Sequence, residues 1–165
     1  MSILVYGQPT GNTGYGIVDN PTMPYWMPAL DMVGRYVRWK FPFDGGYKLH
    51  ITASNETAEA TAKAALPVLQ RLNARHKVVF PLDCYQRMNQ GEQAGKFITV
   101  YAGRLMEIFL DTTRELEAVL GPLVKRGVIK PGPVPRDRQS GHSQSEHLLG
   151  GSRMISYVKV DSFQS

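Results

Sequence analysis

The stretch "YKLHITA" (residues 47–53) alternates apolar and polar side chains. Tyr47, Leu49 and Ile51 fall on one side of a strand, and Lys48, His50 and Thr52 on the other. Lys77 in "HKVVF", Lys96 in "GKFITVY" and Arg153 in "SRMISYVKV" also sit on or beside strand-like, otherwise apolar segments. If these strands share a sheet, their basic side chains converge on one face. Ammonium and guanidinium groups hold an anion, and a histidine gives or takes a proton near neutral pH. The competing reading is a row of outward, solvated residues. Convergence on one cleft separates the two.

The elements that must position these residues are legible from periodicity. "GRYVRWKFPF" alternates like a strand, and "DGG" at 44–46 is a tight-turn signal, so residues 36–41 and 47–51 are expected to form a hairpin. Residues 54–73 read as a helix capped by Ser54 or Asn55, with Glu56 and Glu59 at its positive end. Ala58, Ala62, Leu66 and Leu69 form its inner stripe, and Pro67 is expected to kink or divide it. Strands follow at 76–80 and 95–101, with a turn or short helix around 83–90. A second long helix spans 104–126, with Gly121-Pro122 at a possible break in its last turn. "KPGPVPRDRQSGHSQSEHLLGG" has no period, and aperiodic segments of that length are usually functional or disordered. "SRMISYVKV" is the final strand. The order β-β-α-β-β-α-β implies an α+β fold, a single mixed but largely antiparallel sheet with two long helices packed on it. Residues 1–34, rich in Gly, Pro and aromatics, read as a loop-rich lead-in with a short strand at Ile3–Tyr6, and 35–165 as the domain proper.

Composition bounds the function. The 165 residues suffice for one full-sized core, and 42% hydrophobic with 20% charged residues is ordinary globular usage. Lys+Arg exceed Asp+Glu by 19 to 14, which favours an anionic partner, but no dense basic tract marks a nucleic-acid tail. The lone Cys84 excludes an internal disulfide framework and a cysteine zinc site, and without a base beside it reads as a buried thiol. No signal-peptide pattern or bilayer-spanning run is present, so the expected location is cytoplasmic, with signal-independent secretion left open.

"LHIT" also matches the His-x-Thr element of two-histidine phosphoesterases. Such enzymes need two elements, one histidine for each proton transfer. The later histidines read "GHSQ" (His142) and "EHLL" (His147), and neither matches. A metal site from His50, His76, His142 and His147 lacks helical spacing, and no Lys-Ser/Thr follows the glycines of "GQPTGNTGYG".

Taken in order, "YKLHITA", "HKVV", "GKFITVY" and "PGPVPRDR … ISYV" resemble the phospholyase family over roughly residues 45–160. That family includes the lyase domains of class III and IV lanthipeptide synthetases and the phosphothreonine lyases of bacterial type III secretion. The resemblance implies β-elimination of phosphate from phosphoserine or phosphothreonine without a metal or organic cofactor. It implies His50 as the general acid, Lys77 as the base and Lys48 as a phosphate contact. Lys96 holds the "GKF" position, Tyr101 the aromatic hydroxyl of that strand, and Asp137 the acidic residue of the late loop.

The chain departs from the family where an arginine normally follows the last "SY": here Val158 and Lys159 follow Tyr157. Arg153, Arg136 and Arg138 are the candidates to replace it as phosphate clamp. A lyase of this kind would meet a phosphorylated peptide or protein and, in peptide maturation, a separate kinase. Two other classes stay open: an anion-binding module without chemistry, and a phosphoesterase using His50 with His142 or His147.

Overall fold

A computed structural model describes residues 4–9, 15–19, 36–38, 45–72, 74–79, 82–137 and 144–160. In chain order the strands are β1 (Leu4–Pro9), β2 (Tyr15–Asp19), β3 (Tyr36–Arg38), β4 (Gly46–Ile51), β5 (Arg75–Val79), β6 (Ile98–Gly103), β7 (His147–Leu149) and β8 (Ile155–Val160). The helices are α1 (Ala58–Arg71), α2 (Leu82–Met88) and α3 (Met106–Lys125). Strands β1 and β2 pair with each other, so the lead-in holds a hairpin rather than a lone strand. Among the described residues the main sheet has six strands in the order β3-β5-β6-β4-β8-β7. Its pairings are all antiparallel. The fold is α+β, as the element order implies, and no described helix is long and apolar enough to cross a membrane.

The expected hairpin of 36–41 with 47–51 does not form. Strand β4 is central, paired with β6 on one side and β8 on the other, so both its edges are filled. Strand β3 pairs instead with the outer edge of β5. Gly45 and Gly46 do adopt left-handed φ of 121° and 108°. They lead into β4. A Cβ on Gly46 would lie 2.2 Å from the backbone carbon of Gly103, so only glycine admits that approach. A register irregularity follows between Tyr47 and Lys48.

One face of the sheet carries the core. Leu49, Ile51, Val78, Ile98, Val100 and Ile155 are buried there with Ala62, Leu66 and Leu69 of α1 and Leu116 and Leu120 of α3. Tyr47 stacks on Phe109 of α3 at 4.1 Å, and Phe109 meets the edge of Tyr157 at 5.2 Å. Helix α1 continues through Pro67, so the proline does not divide it, and α3 continues through Gly121-Pro122. Proline costs a helix interior roughly 3 kcal/mol. Burial of the α1 stripe, at roughly 25 cal/mol per Å² of apolar surface, outweighs that in α1. In α3, the proline lies in the last turn. Cys84 lies on α2, but its side chain is outside the described part of the structure.

A strap over residues 130–137 crosses the end of the sheet. Ser54 N–H donates to the Lys130 carbonyl at 2.9 Å, and Thr52 Oγ1 donates to the Pro133 carbonyl at 2.7 Å. Tyr85 of α2 donates its hydroxyl to Ala53 O at 2.6 Å and accepts from Ala53 N at 3.1 Å, which fixes the same end of β4. Gly132 packs so closely that a Cβ there would sit 2.1 Å from Ala53 O, whereas a Cβ on Gly91 meets nothing nearer than 4.0 Å. Gly132→Ala should therefore lower the urea-unfolding free energy by about 1–3 kcal/mol, the usual cost of overpacking. Gly91→Ala should stay within about 0.5 kcal/mol, as surface changes do.

Candidate active site

The opposite face of the sheet holds the polar rows. Register places Lys77 on β5 beside Thr99 on β6, Thr99 beside His50 on β4, and His50 beside Ser156 on β8. The next row runs Arg75, Tyr101, Lys48, Val158. Antiparallel partners project to the same side, so Lys77, His50, Lys48 and Tyr101 share one face. With strands about 4.8 Å apart, the Cα atoms of Lys77 and His50, two strands apart, are separated by roughly 10 Å. Lys96, in the turn before β6, acts electrostatically on His50, as does Lys48.

His50 is almost fully buried and is held by a residue that sequence reasoning missed. Its Nδ1 lies 2.8 Å from Oε1 of Glu146, and Ser156 Oγ–H donates to the same oxygen at 2.9 Å. Glu146 is itself buried, with 5% of its surface exposed. It reaches the sheet because its N–H donates to Pro135 O and Asp137 N–H donates to Gln144 O, which ties the two limbs of the late loop together. Arg136 and Ser145 form the bridge between them. No local signal marks Glu146: it lies in aperiodic sequence, 96 residues from His50.

Electrostatics set the resting state of His50. Desolvation pushes its pKa below the ordinary 6.5. The hydrogen bond and charge of Glu146 oppose that shift, and Lys48 and Lys96 reinforce it. The balance favours the neutral imidazole, where the sequence-based expectation of a general acid calls for a near-neutral or raised value. An anion placed against Lys48 and Lys96 cancels the charges that disfavour protonation.

The remaining candidates lie on the late loop and the β7–β8 turn. Asp137 is buried in the late loop. Arg136 points outward, lining a cavity of about 610 Å³ with Asn89, Gln90, Glu92 and Pro133. Arg153 is exposed, with φ of 62°, in the turn between β7 and β8. The neighbouring Ser152 is tied to Glu117 of α3 through both its N–H and its hydroxyl. Arg138 and His142 lie outside the described residues. His147 pairs in register with Tyr157, and its ring lies 5.2 Å from the ring of Tyr157, which packs on α3. It therefore belongs to the helix side of the sheet, opposite His50, and cannot partner it. Among the described residues no three His, Cys, Asp or Glu gather as a metal cluster.

The family model of the RamC N-terminal domain matches residues 36–132, more than half of the chain. The chain belongs to that family. This lanthipeptide-synthetase-related RamC domain family covers β3 through the start of the strap, including Lys48, His50, Lys77, Lys96 and Tyr101, but not Glu146. No curated protein matches. A solved phosphothreonine lyase structure aligns with a TM-score of 0.52 and 16% identity, over 75% of this chain and 59% of that one. A mutant of the Salmonella plasmid virulence C protein (SpvC) aligns at 0.53 and 15%, over 79% and 63%. The RamC-type domain thus has a phosphothreonine-lyase-like fold and spans about three fifths of those chains.

A second buried histidine sets a pH dependence of stability. His76 lies on the core face, and burial lowers its pKa to about 4 despite the bond from Nδ1–H to Ala74 O at 2.7 Å. The unfolded chain takes up this proton near 6.5, the folded chain only near 4. Stability should therefore fall as pH drops from 6.5 to about 4, by about 3 kcal/mol from this group, and no further below that. His50 adds a loss of the same sign. In His76→Gln, urea unfolding across this range should show a slope shallower by about one proton.

Proposed function

We propose that the chain is a cofactor-free phosphoserine/phosphothreonine lyase that eliminates phosphate from a phosphorylated peptide or protein and leaves a dehydroamino acid. The observation that carries this reading is the shared register of Lys77, Thr99, His50 and Ser156, with Lys48 in the adjacent row. Neutral Lys77 takes the α-proton, the Cα–Cβ double bond forms as the Cβ–O bond breaks, and His50 delivers a proton to the departing oxygen. Lys48 and Lys96 stabilise charge on the phosphate as it leaves. Bound phosphate opposes those two charges at His50 and so favours the protonated imidazole that the step consumes. Membership of the RamC N-terminal domain family and the likeness of fold to phosphothreonine lyases support the same reading.

A second reading rests on Val158. It stands in register with Lys48, on the face where a further cation would grip phosphate, and is buried. A pocket so weakened could bind a phosphorylated ligand without turning it over.

Incubation with a phosphothreonine peptide, followed by mass spectrometry, separates the readings. The lyase converts the phosphothreonine to a dehydrated residue. Binding with no change of mass supports the non-catalytic module. Lys77→Ala and His50→Ala should each lower kcat by at least ~100-fold while the peptide still binds, the usual scale of acid–base catalysis. Full activity in either variant removes the assigned role. Lys48→Ala should weaken peptide binding about tenfold, equivalent to roughly 1.4 kcal/mol, and Arg153→Ala should leave it nearly unchanged.

A further inference from the structure

We propose that Glu146 is the positioning residue for His50, fixing its tautomer and favouring its protonated form. Oxygen Oε1 accepts the Ser156 hydroxyl at 2.9 Å and lies 2.8 Å from Nδ1 of His50. A carboxylate oxygen only accepts, so on this assignment Nδ1 of His50 carries the hydrogen of that contact. The neutral ring then has its lone pair on Nε2. Protonation of Nε2 gives an imidazolium whose Nδ1–H stays on Glu146 and whose Nε2–H is the proton to donate. Each turnover moves one proton from Nε2 to the leaving oxygen and returns the ring to the Nδ1–H tautomer.

Burial makes the interaction necessary. His50 has 3% of its surface exposed and Glu146 5%, so water cannot orient the ring or screen its charge. Lys48 on the same strand and Lys96 before β6 disfavour the imidazolium, and Glu146 is the group that favours it. Thr99 and Ser156 flank His50 from β6 and β8, and Lys77 lies one strand beyond Thr99. Ser156 gives its hydroxyl hydrogen to Glu146, so the three residues do not form a nucleophilic Ser-His-acid relay, in which serine donates to histidine. They form a bracket: β8 holds the carboxylate, and the carboxylate holds the ring.

The kinetic arm of the test rests on the lyase reading; the spectroscopic arm does not. Nitrogen-15 NMR of the unmodified protein should show neutral His50 as the Nδ1–H tautomer. The Nε2–H tautomer would overturn the proposal, with no variant needed. In Glu146→Gln, with the fold checked by circular dichroism, kcat on a phosphothreonine peptide should fall about 10–100-fold with KM little changed. The limb of its kcat profile that His50 sets should move to lower pH, because the group that raises the His50 pKa is gone. Glu146→Asp should restore part of that displacement. An active wild type whose Glu146→Gln variant keeps its kcat and pH profile overturns the proposal. If the wild type has no lyase activity, the lyase reading fails, and the His50 tautomer and the fall of its pKa in Glu146→Gln still decide the role of Glu146.

Discussion

Strand β4 is bonded along both edges, and its register governs both faces of the sheet at once. The ladder Leu49–Val100 and Leu49–Tyr157 sets Leu49 into the core, and the same ladder sets Lys48 and His50 onto the opposite face. Because side chains alternate with period two, a slip of one residue would bury a lysine and expose Leu49 and Ile51. Burial of Leu49 and Ile51 at 0% exposure therefore fixes the position of the polar residues without any interaction among them. The core specifies the site.

The strap then closes what the sheet leaves open. Its bonds to Thr52 and Ser54, its contact through Gly132 and its link across to residues 144–146 bring a carboxylate over the central strand. This is where the RamC-type domain departs from a plain cationic cleft. His50 is pulled in opposite directions by burial and lysines on one hand and Glu146 on the other. A dianionic phosphate adds to the side of Glu146. Under the proposed lyase chemistry, the protonation state of His50 would thereby be linked to the presence of a phosphorylated substrate.

Much of this was legible in the residues, and the limits have physical causes. Alternation around Leu49 and Ile51 and the stripe Ala58, Ala62, Leu66, Leu69 report burial directly, so β4 and α1 stand out. Partner choice is different. Strand β3 pairs with β5 because both edges of β4 are taken, and no local pattern encodes which edges will be free. Pro67 looks like a breaker until the packing of α1 is set against its cost. Strand β7 is only three residues long, too short to show a period. Glu146 depends on a contact spanning 96 residues of sequence through a loop with no pattern, so only three-dimensional geometry finds it.

Elimination and hydrolysis both release phosphate, but they break different bonds. The decisive measurement is turnover of a phosphothreonine peptide in oxygen-18 water, with the released phosphate read by mass spectrometry. Cleavage of the Cβ–O bond leaves the threonine oxygen on the phosphate, so the account predicts free phosphate without solvent label beside a dehydrated peptide. Phosphate carrying an oxygen from the solvent, beside a peptide with its hydroxyl restored, would contradict it.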